Sequence, residues 1–182
     1  MKTSSLKKNQ FKRIPFTIYL SLGFILITGL KCKKENLNAL PPATMSGENT
    51  MGGYIDGKLF VSRRLDLLSQ DPGGTYNPSI PLLGFSGGSS FDPDGPTFGF
   101  SIKENLKKGK IIFSQGGVNT GLLTIRGSNG TLIYYYLNSG YLEFTRFDTN
   151  ERVFSGNFDV TYKSESGNTI HVTDGRFDLK TK

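Results

Sequence analysis

Between Val153 and Lys163 the chain alternates, with Phe154, Phe158, Val160 and Tyr162 on one side and Ser155, Asn157, Asp159 and Thr161 on the other. A repeat of two marks an extended strand with one buried face, because successive side chains point to opposite faces. Phe98, Phe100 and Ile102 repeat the pattern against Gly99, Ser101 and Lys103, as Leu142 and Phe144 do against Glu143 and Thr145. Strands dry on one face and wet on the other belong to antiparallel sheets, since parallel sheets are covered on both faces.

Turn residues punctuate these runs. Asp56-Gly57 separates Gly53–Ile55 from Lys58–Val61, and Asp-Gly between apolar runs signals a tight hairpin because both turn residues take positive φ. Further strands are predicted at Leu82–Phe85, Thr97–Ile102, Ile111–Ser114, Leu122–Ile125, Leu132–Leu137, Tyr141–Phe147, Val153–Lys163 and Thr169–Leu179. Clusters such as Pro72-Gly73-Gly74, Gly87-Gly88, Gly116-Gly117 and Asn129-Gly130 read as the loops between them. In the last strand Ile170 and Val172 are out of phase with Phe177 and Leu179; one extra residue near Asp174-Gly175, a β-bulge, brings both pairs to one face. Only Ser101–Lys108 carries a short trace of helical period. The expected fold is all-β, an antiparallel β-sandwich or flattened barrel of about ten short strands. A high glycine count of 23, with 22 Phe and Tyr, suits that texture.

The beginning of the chain has a different character. Residues Met1 to Arg13 hold five basic side chains and no acid, and Ile14 to Leu30 is an uncharged apolar run of 17 residues. That order is the pattern of a secretory signal, so 1–31 reads as a lipoprotein signal peptide. Cys32, the single cysteine, follows at once and cannot form an internal disulfide. Its place makes it the expected lipid-attachment residue, carrying palmitate-type acyl chains; two or more chains on one residue suffice for stable anchoring. Lys31 departs from the small residue that usually precedes such a cysteine, and the alternative is an uncleaved signal anchor. Residues 32–49 then read as lipid anchor and flexible tether, with Pro41-Pro42 as a semi-rigid spacer inside 33–48. Residues 50–182 form a single β domain. The expected location is the bacterial cell envelope, anchored by lipid in the outer membrane, with periplasmic and surface-exposed placements both open.

The net charge of +7 does not indicate nucleic acid. Six of the 22 basic residues precede Cys32 and no acid does, leaving 16 bases against 15 acids in the rest. A nucleic-acid binder needs its basic excess on the folded part. One cysteine and one histidine cannot build a zinc site, so no metal and no cofactor is expected. Asp92-Pro93-Asp94-Gly95 faintly resembles a calcium loop, with Asp66 or Asp71 as conceivable helpers, but a Pro-Asp-Gly turn explains it. His171, between Ile170 and Val172, points by alternation toward solvent, and no nucleophile stands out for it to activate. Arg176 with Asp174 and Asp178 reads as ladder charges near the bulge, where neighbours of opposite sign stabilise modestly. Glu35, Glu143 and Asp159 are too scattered to suggest paired-carboxylate chemistry. No catalytic residue is assigned, and the protein is read as a non-enzyme.

One feature suggests binding. In Tyr134-Tyr135-Tyr136, alternation sends Tyr134 and Tyr136 to one face, and Tyr141 follows shortly after. Exposed tyrosines stack on sugars or enter a partner's pocket, while tyrosine is also simply a good strand residue. Tyr134, Tyr136 and Tyr141 are therefore the candidate binding surface.

Cys32-Lys33-Lys34, Leu40–Thr44 (LPPAT), Gly47–Gly52 (GENTMG), Asp56-Gly57-Lys58 and Thr173–Asp178 (TDGRFD) together resemble a family of Bacteroidetes lipoproteins of unknown function. The motifs cover both ends of the domain and little of its middle. Gly53 stands where such proteins often carry Cys, and Phe60 where they often carry Trp. The resemblance implies a β-rich envelope lipoprotein and supplies neither activity nor site. The leading functional expectation is a non-enzymatic binding or structural module, offering a β surface to an envelope protein or glycan. A small apolar-ligand carrier with a barrel cavity is the alternative, and a hydrolase with an unrecognised carboxylate site the third reading.

Overall fold

The computed structural model describes residues 39–63, 72–89, 92 and 94–181. The signal segment, Cys32, Glu35, Asp66, Asp71 and Pro93 lie outside the described residues. Ten strands follow one another: β1 (Thr50–Ile55), β2 (Lys58–Arg63), β3 (Gly73–Asn77), β4 (Leu82–Gly88), β5 (Thr97–Ile102), β6 (Gly109–Phe113), β7 (Thr120–Arg126), β8 (Leu132–Asp148), β9 (Val153–Ser164) and β10 (Thr169–Lys180). Every ladder is antiparallel, in the order β2-β1-β10-β9-β8-β7-β5-β4-β3. The sheet curls into a half-barrel, a flattened barrel left open between its two ends.

β8 organises this curl. Its first half pairs with β7 (Leu122↔Tyr136), and its second half pairs with β6 on that side (Ile112↔Tyr141). Between the halves the register against β9 shifts at Leu137/Ser139, and Gly140 takes φ 118°. The break reads in sequence as a loop between two strands, but β9 runs past both halves and joins them into one.

The alternation in sequence becomes the inside of the barrel. Phe98, Phe100 and Ile102 are buried, as are Leu142, Phe144, Phe154, Phe158, Val160 and Tyr162. The open ends are held face to face by aromatic contacts: Phe60 of β2 lies 4.6 Å from Phe98 of β5, and Phe85 of β4 stacks at 4.8 Å on Phe177 of β10. Phe158 reaches Phe98 at 5.6 Å and Phe100 at 5.1 Å between ring centroids. Such ring pairs add roughly 0.5–1.5 kcal/mol each beyond the apolar area they bury. They occupy the middle of the barrel, where a carrier would hold its ligand.

β3 is a strand the sequence hides. Pro72-Gly73-Gly74 reads as a turn, yet Gly73–Asn77 pairs along β4, and Tyr76 packs at 5.3 Å on Phe154 and 6.0 Å on Phe147. Tertiary packing overrides local propensity at this edge. The short helical trace at Ser101–Lys108 is not a helix: β5 runs to Ile102, and bends lead into β6. The bulge expected near Asp174-Gly175 is present, with Asp174 at φ 51° and the register against β9 shifting between Val172 and Gly175. Ile170, Val172, Phe177 and Leu179 are all buried as a result.

Candidate functional site

Among the described residues, the polar cluster with the most hydrogen bonds is one the sequence reads as ladder charge. Asp178 is not exposed; it is 1% accessible and faces outward beneath the residues that precede β1. Its carboxylate accepts from Thr44 Oγ1 (2.6 Å), Ser155 Oγ (2.6 Å) and the backbone N–H groups of Ser46 (3.1 Å), Gly47 (2.8 Å) and Glu48 (3.1 Å). Three successive amides form an anion nest, and Gly47 at φ 80° allows the chain to turn them inward. Burial pushes the Asp178 carboxyl up, but bonds from Ser155, Thr44, Glu48 and Gly47 outweigh it and hold the group below its ordinary range.

The same strap is gripped elsewhere. Arg176 Nη1 donates to the Pro41 carbonyl at 3.3 Å, Arg146 Nη1 to the Met45 carbonyl at 2.7 Å, and Lys180 N to Asn49 Oδ1 at 2.9 Å. Arg146 is itself oriented by Asp148 at 2.8 Å and by Glu151. Pro41 is buried against Gly52, where a Cβ would stand 2.7 Å from Pro41 Cδ. Residues 40–49 are therefore docked on the domain, a correction to the flexible tether. The terminal motifs LPPAT and TDGRFD meet here: Arg176 and Asp178 of the second hold Pro41 and Thr44 of the first. Their chemistry is that of a structural clasp.

The candidate binding surface lies on the other outer face. Tyr134 and Tyr136 are exposed, at 47% and 50%, while Tyr135 is buried, as alternation requires. From Tyr136 a row of outward residues crosses the sheet through Leu122, Gly99, Ser86 and Gly73, and beside it runs a second row, Thr120, Ser101, Gly84 and Thr75. Glycines and hydroxyls leave the strands almost bare there. The result is an open hollow of about 740 Å³, floored by Gly84, Gly99, Ser86 and Ser101 and walled at one end by Tyr136 and Leu122. Among the described residues none that lines it is charged. Gly99 is obligatory, since a Cβ would stand 2.7 Å from Ser86 Cβ, whereas a Cβ at Gly84 meets nothing closer than 3.9 Å.

Two residues along β8, Tyr134 borders a second hollow of about 340 Å³ with Thr97, Thr124, Leu132 and Arg126, whose Nε lies 3.0 Å from Asp94 Oδ1. That ion pair engages one carboxylate of the Asp92–Gly95 turn, and Asp92 Oδ1 accepts from Asp94 N at 2.9 Å. Among the described residues no group of three or more His, Cys, Asp or Glu converges as a metal site would need. His171 is exposed; Thr161 Oγ1 is 3.1 Å from its Nδ1, and its backbone N–H donates to Asp56 Oδ1 at 2.8 Å, tying the first hairpin turn to β10.

Tyr141 does not join the other tyrosines. It lies past the Gly140 break, beside Ile112 of β6, with Lys110 Nζ 3.8 Å above its ring. The sequence identifies Tyr134 and Tyr136 but not the bare floor beside them, whose glycines and serines read one by one as weak strand or turn residues. A comparison with known proteins finds no match: no family model, no curated protein and no solved structure corresponds to this chain.

Proposed function

We propose that the domain is a non-enzymatic binding module whose outer face takes a neutral glycan chain, presented from the bacterial envelope by lipid on Cys32. The observation that carries this reading is Tyr136 standing exposed at the wall of a hollow floored by glycines and hydroxyls, with no charged lining among the described residues. Sugar rings offer apolar C–H faces that stack on tyrosine and hydroxyls that pair with serine and threonine. A nucleic acid or an acidic peptide would need cations, and none lines this hollow among the described residues. Its open shape suits a chain laid across the strands rather than a small molecule enclosed.

The test is calorimetric titration of the full chain in detergent with soluble neutral oligosaccharides, beside Tyr136→Ala. Binding by the wild type that weakens at least about tenfold in the variant supports the module. A glycan bound equally by both, or none bound, overturns the glycan reading. The anchoring part is tested separately, by palmitate labelling of the wild type and Cys32→Ala with protease shaving of intact cells. Label that depends on Cys32 supports the lipid; absence of label leaves the uncleaved signal anchor.

A further inference from the structure

The underside of the strap forms a third cleft, of about 560 Å³, roofed by Ala43–Met45 and bordered by Lys108, Glu143, Asn157 and Arg176. Its floor is a straight cross-strand row, since Glu143 of β8 pairs with Asn157 of β9 and Asn157 with Arg176 of β10. Paired residues of antiparallel strands point to one side, so an anion, an amide and a cation face the cleft in order.

Three observations make this row unlike an ordinary charged surface. Asn157 Oδ1 is buried and has no hydrogen-bond partner among the described residues. A buried acceptor without a donor has lost its hydration uncompensated, so a donor that reaches it is favoured. Glu143 and Arg176 make no ion pair among the described residues. Lys110, the cross-strand neighbour of Glu143, instead has its ammonium above the Tyr141 ring. Arg176 spends one N–H on the Pro41 carbonyl, and among the described residues the rest of its fork has no partner.

We infer that this cleft binds the free-ended backbone of a short peptide, its ammonium end on Glu143 and Asn157 and its carboxylate end on Arg176. Glu143 and Arg176 are separated by two strand spacings, about 10 Å between Cα atoms. An extended tripeptide spans about that length, at ~3.3 Å per residue, whereas the two charges of a single amino acid sit too close together to reach both. The Met45 segment of the strap supplies an apolar roof but no charge, so selectivity rests on the two ends.

The test is an NMR titration of the isotope-labelled full chain in detergent with Ala-Gly-Ala, following the Asn157 side-chain amide. The expected result is a saturable shift with Kd near or below about 1 mM, weakened about tenfold when either peptide end is blocked by acetylation or amidation. Glu143→Gln is expected to erase the preference for a free ammonium while keeping that for a free carboxylate; among the described residues the Glu143 carboxylate makes no ion pair that the change would break. No saturable shift, or equal binding of free and blocked peptides, overturns the inference. Shifts confined to Tyr136 and the glycine-floored face overturn it as well, because they would place the peptide in the other hollow.

Discussion

Thr44 Oγ1 donates a 2.6 Å hydrogen bond to Asp178 Oδ2 across 134 residues of sequence, closing the start of the described chain onto its last strand. Asp178 has five donors and, among the described residues, no cation within ion-pair distance. A buried carboxylate is tolerable here because hydrogen bonds to the charged form replace its hydration.

Asp178→Asn replaces one acceptor oxygen by an NH2 that faces amide and hydroxyl donors. It is expected to cost roughly 2–4 kcal/mol by urea unfolding, because several donors lose their partner at once. Amide exchange at Ser46, Gly47 and Glu48 should accelerate more than at β9. Unchanged exchange in the strap would show that something other than Asp178 holds it.

The same carboxylate sets a pH dependence. Its folded pKa is lowered from the ordinary 3.8, so its contribution is complete above that value and is lost as pH falls through the lower, folded one. The hydrogen bond to Arg146 lowers Asp148 as well, adding to the slope in that window. Comparison of wild type with Asp178→Asn isolates the first group: below the ordinary value the wild type should lose stability more steeply, and the two curves should converge.

Gly175→Ala is expected to destabilise strongly, by about 3 kcal/mol or more. A Cβ there would lie 2.3 Å from Phe158 Cε2, and that ring is locked among Phe98, Phe100 and Phe177. Thermal melting measures it; a small change would mean that the bulge relaxes and the ring moves.

Tyr162→Phe should be neutral or stabilising by up to about 1 kcal/mol. The Tyr162 hydroxyl is buried without a partner among the described residues, and burial pushes its pKa up, so it stays protonated. Removing an unsatisfied buried group removes its desolvation cost. A clear loss of stability in urea would reveal a partner for it, such as a trapped water.

Gly84→Val tests the bare face without disturbing the core. The added Cβ meets nothing closer than 3.9 Å, and valine suits a strand, so melting should change little while the hollow fills. Oligosaccharide binding should fall at least about tenfold. Retained affinity would move the ligand off this face.

Alternation at Phe98–Ile102 and Phe154–Tyr162 is enough to assign strands and their buried sides, because a period of two is a local property of an extended chain. Asp56-Gly57 likewise places its hairpin, with φ 45° and 77° at the two turn residues. Even the bulge at Asp174 is readable, since a phase slip in the apolar pattern has few other remedies. β3 is not readable, because Gly73-Gly74 adopts a strand only beside β4.

What the sequence determined by itself is thus the set of local conformations: an antiparallel chain of strands, their inward faces, and Tyr134 and Tyr136 turned outward. Only the tertiary structure decided that Asp178 is a buried clasp rather than a surface charge, that residues 40–49 lie on β10 rather than hanging free, and that Tyr136 borders a bare floor while Tyr141 does not. The physical reason is range. Alternation acts between residues two apart, whereas burial of a carboxylate or exposure of a glycine floor depends on segments folded against each other from opposite ends of the domain.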